Sequence, residues 1–182
     1  MLSDLRTRKL TRFFRLVDAD GDGYFTRADS ETIAIRLVAL RGHAKGTPAY
    51  DAFVGGFLRY WDDVRRDVDA SEDGKVSLGE WLHYHAIMLA NPARFESSAT
   101  TSARLMFALL DVDGDGKVTT DEVASWLRAW GQIDEETLAT IPGILDINGD
   151  GLLSHSEIMS LTREFFFSDD PEARGNWAMG PF

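Results

Sequence analysis

Apolar residues recur along this chain at the three-to-four-residue spacing of amphipathic helices. Leu10, Phe13, Phe14 and Val17 form one such stripe, and Met106, Phe107 and Leu110 form another. Further stripes run through Ile33, Leu37 and Leu40, through Trp81, Leu82 and Met88, through Val123, Trp126 and Leu127, and through Ile158, Leu161 and Phe165. Four polar, glycine-bearing stretches interrupt them, at residues 18–29, 69–80, 111–122 and 146–157. The pattern predicts helix–loop–helix four times over. The interval between the first two polar stretches is the longest. Its residues 42–68 carry an aromatic stripe of Tyr50, Phe53, Phe57 and Trp61. Gly55-Gly56 breaks that stripe, at about 1 kcal/mol per glycine relative to alanine, and predicts a bend or a close helix contact. Pro142 predicts a kink or a late start in the helix before the fourth stretch.

Aligned, the four stretches share one pattern: DADGDGYFTRAD, DASEDGKVSLGE, DVDGDGKVTTDE and DINGDGLLSHSE. Acids or neutral oxygens fall at positions 1, 3 and 5, glycine at 6, an apolar residue at 8, a hydroxyl at 9 and an acid at 12. This is the pattern of the EF-hand calcium loop. Ca²⁺ takes six to eight oxygens at 2.3–2.6 Å, and a twelve-residue loop supplies them from positions 1, 3 and 5, the carbonyl of 7, position 9 and the carboxylate of 12. Position 6 must turn sharply with φ > 0, which suits Gly23, Gly74, Gly116 and Gly151. The strict form of the motif is met in full by the third and fourth loops. From average composition it should occur at on the order of a few positions per million, so two full and two near matches leave little room for coincidence. Position 8 is apolar throughout (Phe25, Val76, Val118, Leu153), which predicts a short β-bridge between paired loops.

The expected metal ligands differ from loop to loop. The third presents Asp111, Asp113, Asp115 and Glu122, the carbonyl of Lys117 and the hydroxyl of Thr119. The fourth presents Asp146, Asn148, Asp150 and Glu157, the carbonyl of Leu152 and Ser154. The first has Asp18, Asp20, Asp22, the carbonyl of Tyr24, Thr26 and, at position 12, Asp29. Aspartate is one methylene shorter than glutamate and chelates less readily with both oxygens. Six-coordination follows, and with it a mixed Ca²⁺/Mg²⁺ site. The second has Asp69, Ser71, Asp73, the carbonyl of Lys75, Ser77 and Glu80. Ser71 is a neutral oxygen where the other loops place Asp or Asn, which makes this the weakest of the four. Glu72 at the non-ligand position 4 offers electrostatic compensation.

The formal net charge of −11 makes nucleic acid an improbable partner. Fourteen carboxylates sit at the ligand positions, and without them the rest of the 182-residue chain carries +3. The acidity therefore belongs to the loops. With no cysteine, disulfides and thiolate zinc sites are excluded, which fits a cytoplasmic location. No signal peptide, membrane span or myristoylation site is expected, residue 2 being Leu. His83 and His85, two apart on a helix, make a poor metal pair. No nucleophile–base pair or phosphate loop is found, so no enzyme activity is expected.

The fold expected is all-α: four EF-hand units in two packed pairs, with a small two-stranded β-bridge per pair. Residues 1–90 form the N-terminal pair, 98–167 the C-terminal pair and 168–182 a tail packed on the core, with 91–98 as linker. Four loops, the long first interval, an Asp closing the first loop and the tail FFFSDDPEARGNWAMGPF together resemble the sarcoplasmic calcium-binding protein family, in its calerythrin-like branch. That resemblance implies a monomeric cytoplasmic buffer or transporter of calcium holding three to four Ca²⁺ ions. Calerythrin-like proteins tend to have a degenerate second loop, whereas residues 69–80 look serviceable. One alternative is a sensor that exposes a hydrophobic surface to a protein partner; the five scattered methionines do not favour it. Another is a calcium-regulated binder of a hydrophobic small molecule, similar to luciferin-binding proteins and photoproteins, lined by tryptophans that otherwise serve as core.

Overall fold

The computed structural model describes residues 1–91, 106–131 and 133–182. Helix α1 (Asp4–Val17) begins at the cap Ser3 and buries Leu10, Phe14 and Val17 of the stripe read from the sequence, together with Leu16, while Phe13 of that stripe is half-buried. It runs straight into the first loop, whose Asp18 closes the helix by its N–H to Phe14. Strand β1 (Tyr24–Phe25) and helix α2 (Arg27–Leu40) follow. The second hand is α3 (Pro48–Val68), β2 (Val76–Ser77) and α4 (Leu78–Leu89). In the third hand residues 106–110 are helical and lead into the loop, and α5 (Thr120–Trp130) leaves it. The fourth is α6 (Glu135–Leu145) and α7 (His155–Phe167), followed by a 3₁₀ turn at Arg174–Trp177.

Each helix that leaves a loop starts by one device. The residue at loop position 9 (Thr26, Ser77, Thr119, Ser154) is its N-cap, and the acid at position 12 is N3 of a reciprocal capping box. Positions 9 and 12 thus terminate the loop and begin the helix in one motif.

The loops pair first with second and third with fourth. β1 and β2 are antiparallel with Phe25 opposite Val76. The second pair has a single bridge, Thr119 opposite Leu152, with the Leu153 amide donating to the Val118 carbonyl at 2.6 Å. Both pairs share one register, which sets position 8 against position 8. All four of these side chains, Phe25, Val76, Val118 and Leu153, are buried.

The pairs share a core. Helix α2 packs on α5, and α1 packs on α4 and α7. Trp81 sits edge-on to Phe13 at 5.2 Å, Phe25 meets Trp61 at 4.8 Å, and Trp126 meets Trp130 at 5.5 Å. His85 is buried and His83 exposed, so they occupy different faces as their spacing requires. Burial lowers His85 to a pKa of about 4, and its Nδ1 lies 2.7 Å from the Trp81 carbonyl.

Of the two helix-breaking signals, the late start read from Pro142 needs correction. Helix α3 is continuous through Gly55-Gly56, and a Cβ on Gly55 would meet only Arg59 Nη1 of the same helix, at 3.4 Å. Helix α2 approaches at the next residue, where Ser30 Oγ donates to the Phe57 carbonyl at 3.1 Å, and the Phe53–Phe57 contact at 5.4 Å and buried Trp61 hold the flanking turns. Pro142 does not delay α6, which starts at its cap Asp134 and encloses the proline. The ring is buried, and only one interior N–H is forgone. The linker expected at 91–98 lies, from Pro92 on, outside the described residues.

The cations of α1 serve the tail. Lys9, wholly buried, donates to the carbonyls of Glu164 (3.1 Å) and Ser168 (2.9 Å) and to Asn176 Oδ1 (3.0 Å). Burial, reinforced by nearby Arg6, lowers its pKa to about 8. Arg12 Nε donates to Met179 O at 3.1 Å, and Arg6 pairs with Asp169 at 2.6 Å. Gly175 allows the tail to lie against α7, where a Cβ would come within 2.4 Å of Leu161 O.

Candidate metal centres

Side-chain oxygens fold each loop around its own centre. In the first, Asp18 accepts from the amides of Gly21 (2.9 Å) and Gly23 (3.0 Å), and Asp22 from Tyr24 (2.9 Å). Asp29 Oδ1 accepts from Ala19 (3.0 Å) and Asp20 (3.3 Å). Its Oδ2 accepts from the Thr26 amide (2.8 Å) and hydroxyl (2.6 Å). One carboxylate oxygen from each of Asp18, Asp20 and Asp29 lies within 4.8 Å of the others. That separation fits oxygens on opposite sides of a cation with 2.3–2.6 Å bonds. Asp18 and Asp29 are 6% and 2% exposed, so this negative charge is confined rather than solvated. Burial, with Asp29 and Asp22 adding repulsion, raises the Asp18 pKa against the pull of the two glycine amides. Short Asp29 reaches the centre because the capping box seats the first turn of α2 against the loop.

The third loop repeats the scheme with Asp111, Asp113 and Asp115 drawn within 4.8 Å of one another. Glu122 accepts from the Val112 amide at 2.8 Å and from Thr119 N and Oγ1 at 2.8 and 2.9 Å. Burial pushes its carboxyl up, but these hydrogen bonds outweigh it and hold the pKa below the ordinary glutamate value. In the fourth loop Asp146 accepts from Gly149 and Gly151, both at 2.8 Å. Glu157 accepts from Ile147 (3.1 Å) and Ser154 (2.8 Å), and both acids are largely buried. The Asn148 amide donates to Asp150 at 3.0 Å.

The second loop differs in kind. Ser71 Oγ donates to Asp69 at 3.3 Å, so an uncharged donor occupies the place of a third acid. Glu80 is tied to Ser71 N (2.9 Å), Ser77 N (2.9 Å) and Ser77 Oγ (2.8 Å). The Ser77 amide leads the causes that lower its pKa to about 2. Glu72 adopts φ 59°, where the other loops place Gly21, Gly114 and Gly149. A left-handed residue with a Cβ costs roughly 1–2 kcal/mol, so loop position 4 stores strain only here. Lys75 stands 4.8 Å over the Tyr24 ring, joining position 7 of one loop to position 7 of its partner.

Sequence reasoning missed two arginines that lie far along the chain from the loops they touch. Arg41 donates to the carbonyls of Ala108 and Asp111 (2.9 Å), and Arg174 to those of Ile144 (3.3 Å) and Asp146 (3.0 Å). Only the capping boxes had a local signal, the T-x-x-D and S/T-x-x-E at positions 9 to 12.

Helix–loop–helix units with acid-lined loops, paired two by two, are the arrangement of EF-hand calcium-binding proteins, and residues 102–131 of this chain match the family model described as EF-hand domain. Its relatives include the sarcoplasmic calcium-binding protein beta chain of Penaeus sp., 26% identical over 122 residues that cover 65% of this chain and 62% of that one. They include calerythrin of Saccharopolyspora erythraea, 25% identical over 138 residues, covering 75% and 78%. Among solved structures, a calcium-binding protein of Streptomyces coelicolor, described as the basis for prokaryotic calcium-mediated regulation, superposes with a TM-score of 0.70. It is 28% identical, with 88% of this chain and 97% of that chain covered. Among the described residues, no helix is long and apolar enough to cross a membrane.

Proposed function

We propose that this protein is a monomeric cytoplasmic calcium buffer that takes up three to four Ca²⁺ ions, with residues 1–90 and 98–167 as its two binding units and 168–182 as a tail. The observation that carries this reading is the convergence of carboxylates within 4.8 Å in the first and third loops. Like charges held so close repel one another, and a cation between them relieves that repulsion. Loops three and four take Ca²⁺ through Asp111, Asp113, Asp115 and Glu122, and through Asp146, Asn148, Asp150 and Glu157. The first takes Ca²⁺ or Mg²⁺ through Asp18, Asp20, Asp22 and Asp29. The second is the weakest, through Asp69, Ser71, Asp73 and Glu80. Carbonyls of Tyr24, Lys75, Lys117 and Leu152 complete the four sets. Support for a buffer rather than a sensor comes from the shared core: position-8 side chains and Trp61, Trp81, Trp126 and Trp130 are buried, and exposed Ile35, Ile87 and Ile147 lie apart, on α2, on α4 and in the fourth loop.

Calorimetric titration with Ca²⁺, repeated in excess Mg²⁺, tests the count. Three or four ions are expected, with one site competed by Mg²⁺; fewer than three would overturn the reading. The likeness to the Streptomyces protein favours a second reading, calcium-dependent regulation of a protein partner. A hydrophobic dye whose fluorescence rises strongly with Ca²⁺ would replace the buffer by that regulator.

A further inference from the structure

Helix α2 belongs to the first hand, yet it touches both helices of the third. It packs along α5, which leaves the third loop. At its other end the C-cap residue Arg41 reaches the helical segment that enters that loop. Arg41 Nη2 donates to the carbonyl of Ala108, to that of Leu109 at 3.5 Å and to that of Asp111 at 2.9 Å. These are carbonyls at the C-terminal end of a helix, which lack intrahelical partners and carry the negative pole of its dipole. A guanidinium satisfies several at once with fixed geometry, which an ammonium does not. The same group stands 5.4 Å over the ring of Phe53 on α3, so it is held from a second side. Asp111 is both the last residue this arginine grips and the first acid of the third loop.

The other end of α2 is fixed in the first loop. Thr26 is its N-cap and Asp29 its N3 residue, with Asp29 drawn to Asp18 and Asp20. Fourteen residues of regular helix, roughly 21 Å long, therefore connect the closing carboxylate of loop one to the opening carboxylate of loop three. We propose that Arg41 is a positioning residue that couples the first and third metal sites across the two EF-hand pairs. This rests on the reading of both loops as metal sites. An ion in loop one draws Asp29 inward and fixes the start of α2; the helix carries that constraint to Arg41, which sets the incoming helix and Asp111 against α5. Because the contacts at both ends of α2 coexist in one conformation, filling either loop favours the other. Linkage makes the effect reciprocal.

The fourth loop provides an internal control. Its incoming helix end is gripped in the same way, by Arg174 on Ile144 and Asp146, but from the tail rather than from the first pair. Arg174→Gln should therefore leave the coupling of loops one and three intact.

The test is calcium calorimetry on the full chain. The third-loop event is identified as the one lost in Glu122→Gln, and the first loop is silenced by Asp18→Asn with Asp20→Asn. With Arg41 present, silencing loop one should weaken the third-loop event at least fivefold or so, the lower end of ordinary couplings. In Arg41→Gln the same silencing should change it by about twofold or less. Arg41→Lys, which keeps the charge but not the fork, should also lose the coupling and serves if Arg41→Gln does not fold. Equal weakening with and without Arg41, or no weakening in the parent chain, overturns the proposal. So does loss of the coupling in Arg174→Gln, since that would reflect general loosening. If Glu122→Gln removes no binding event, the assignment of loop three as a site has failed, which is a distinct result.

Discussion

Loops one and two share a two-stranded sheet and the same register, yet they hold charge in opposite ways. Loop one confines Asp18, Asp20 and Asp29 together, two of them almost wholly buried, and burial pushes Asp18 toward its neutral form. Loop two replaces one acid by Ser71, satisfies Glu80 with amides and hydroxyls, and leaves Ser71 and Asp73 exposed. One loop is electrostatically frustrated until a cation enters; the other is largely satisfied without one. A shared scaffold therefore does not impose a shared dependence on metal.

The largest expected effect separates the two by stability. At free Ca²⁺ a hundredfold above its dissociation constant, an occupied site adds about 2.7 kcal/mol. Asp18→Ala should lose that increment in urea unfolding with Ca²⁺, while in chelator it should be neutral or stabilised through relief of repulsion. Equal losses in both conditions would break the comparison. Asp69→Ala should show a smaller calcium-linked loss. Next, Ser71→Asp should make loop two resemble loop three and tighten its Ca²⁺ binding about tenfold, or roughly 1.4 kcal/mol. Unchanged affinity by calorimetry would mean that Ser71 is not what weakens the site. A smaller effect concerns ion choice: Asp29→Glu should shift loop one severalfold toward Ca²⁺ over Mg²⁺, since a longer carboxylate chelates with both oxygens. Unaltered relative affinities would sink the role given to Asp29.

The smallest effect is pH dependence of the metal-free protein. Glu80, lowered to about 2 from 4.5, contributes stability that is complete above about pH 4.5 and is lost as pH falls toward 2. Asp18, raised above 3.8, behaves oppositely: its favourable contribution is present below that value and is lost as pH rises through its folded pKa. Glu80→Gln should flatten the acid side of the stability curve, and Asp18→Asn should remove a decline on its other side. Curves that superpose on the parent would contradict both assignments.

Much of this architecture was legible in the sequence because EF-hand determinants are local. Twelve consecutive residues fix the turn, the charges and the start of the next helix, and the apolar position 8 fixes the pairing. Loop asymmetry could be read from Asp29 and Ser71 alone, although the left-handed backbone of Glu72 could not. What escaped was non-local. Pro142 carries a strong local signal that tertiary packing overrode, through a buried ring, and the contact beside Gly55-Gly56 comes from Ser30, 27 residues away on α2. Arg41 and Arg174 reach carbonyls 67 to 70 and 28 to 30 residues away, and a carbonyl leaves no trace in residue identity. The carbonyls that Lys9 and Arg12 of α1 reach near the C-terminus lie more than 150 residues away and leave no trace in residue identity either.

The placement of the tryptophans has an optical consequence. Trp61 stands edge-on to Phe25, next in sequence to Tyr24 of loop one, while Trp126 and Trp130 lie in the third hand, close enough for exciton coupling. The exciton couplet of Trp126 and Trp130 therefore belongs to the second pair alone, whereas indole emission comes from both pairs. With no label attached, circular dichroism in one cuvette follows the second half by itself.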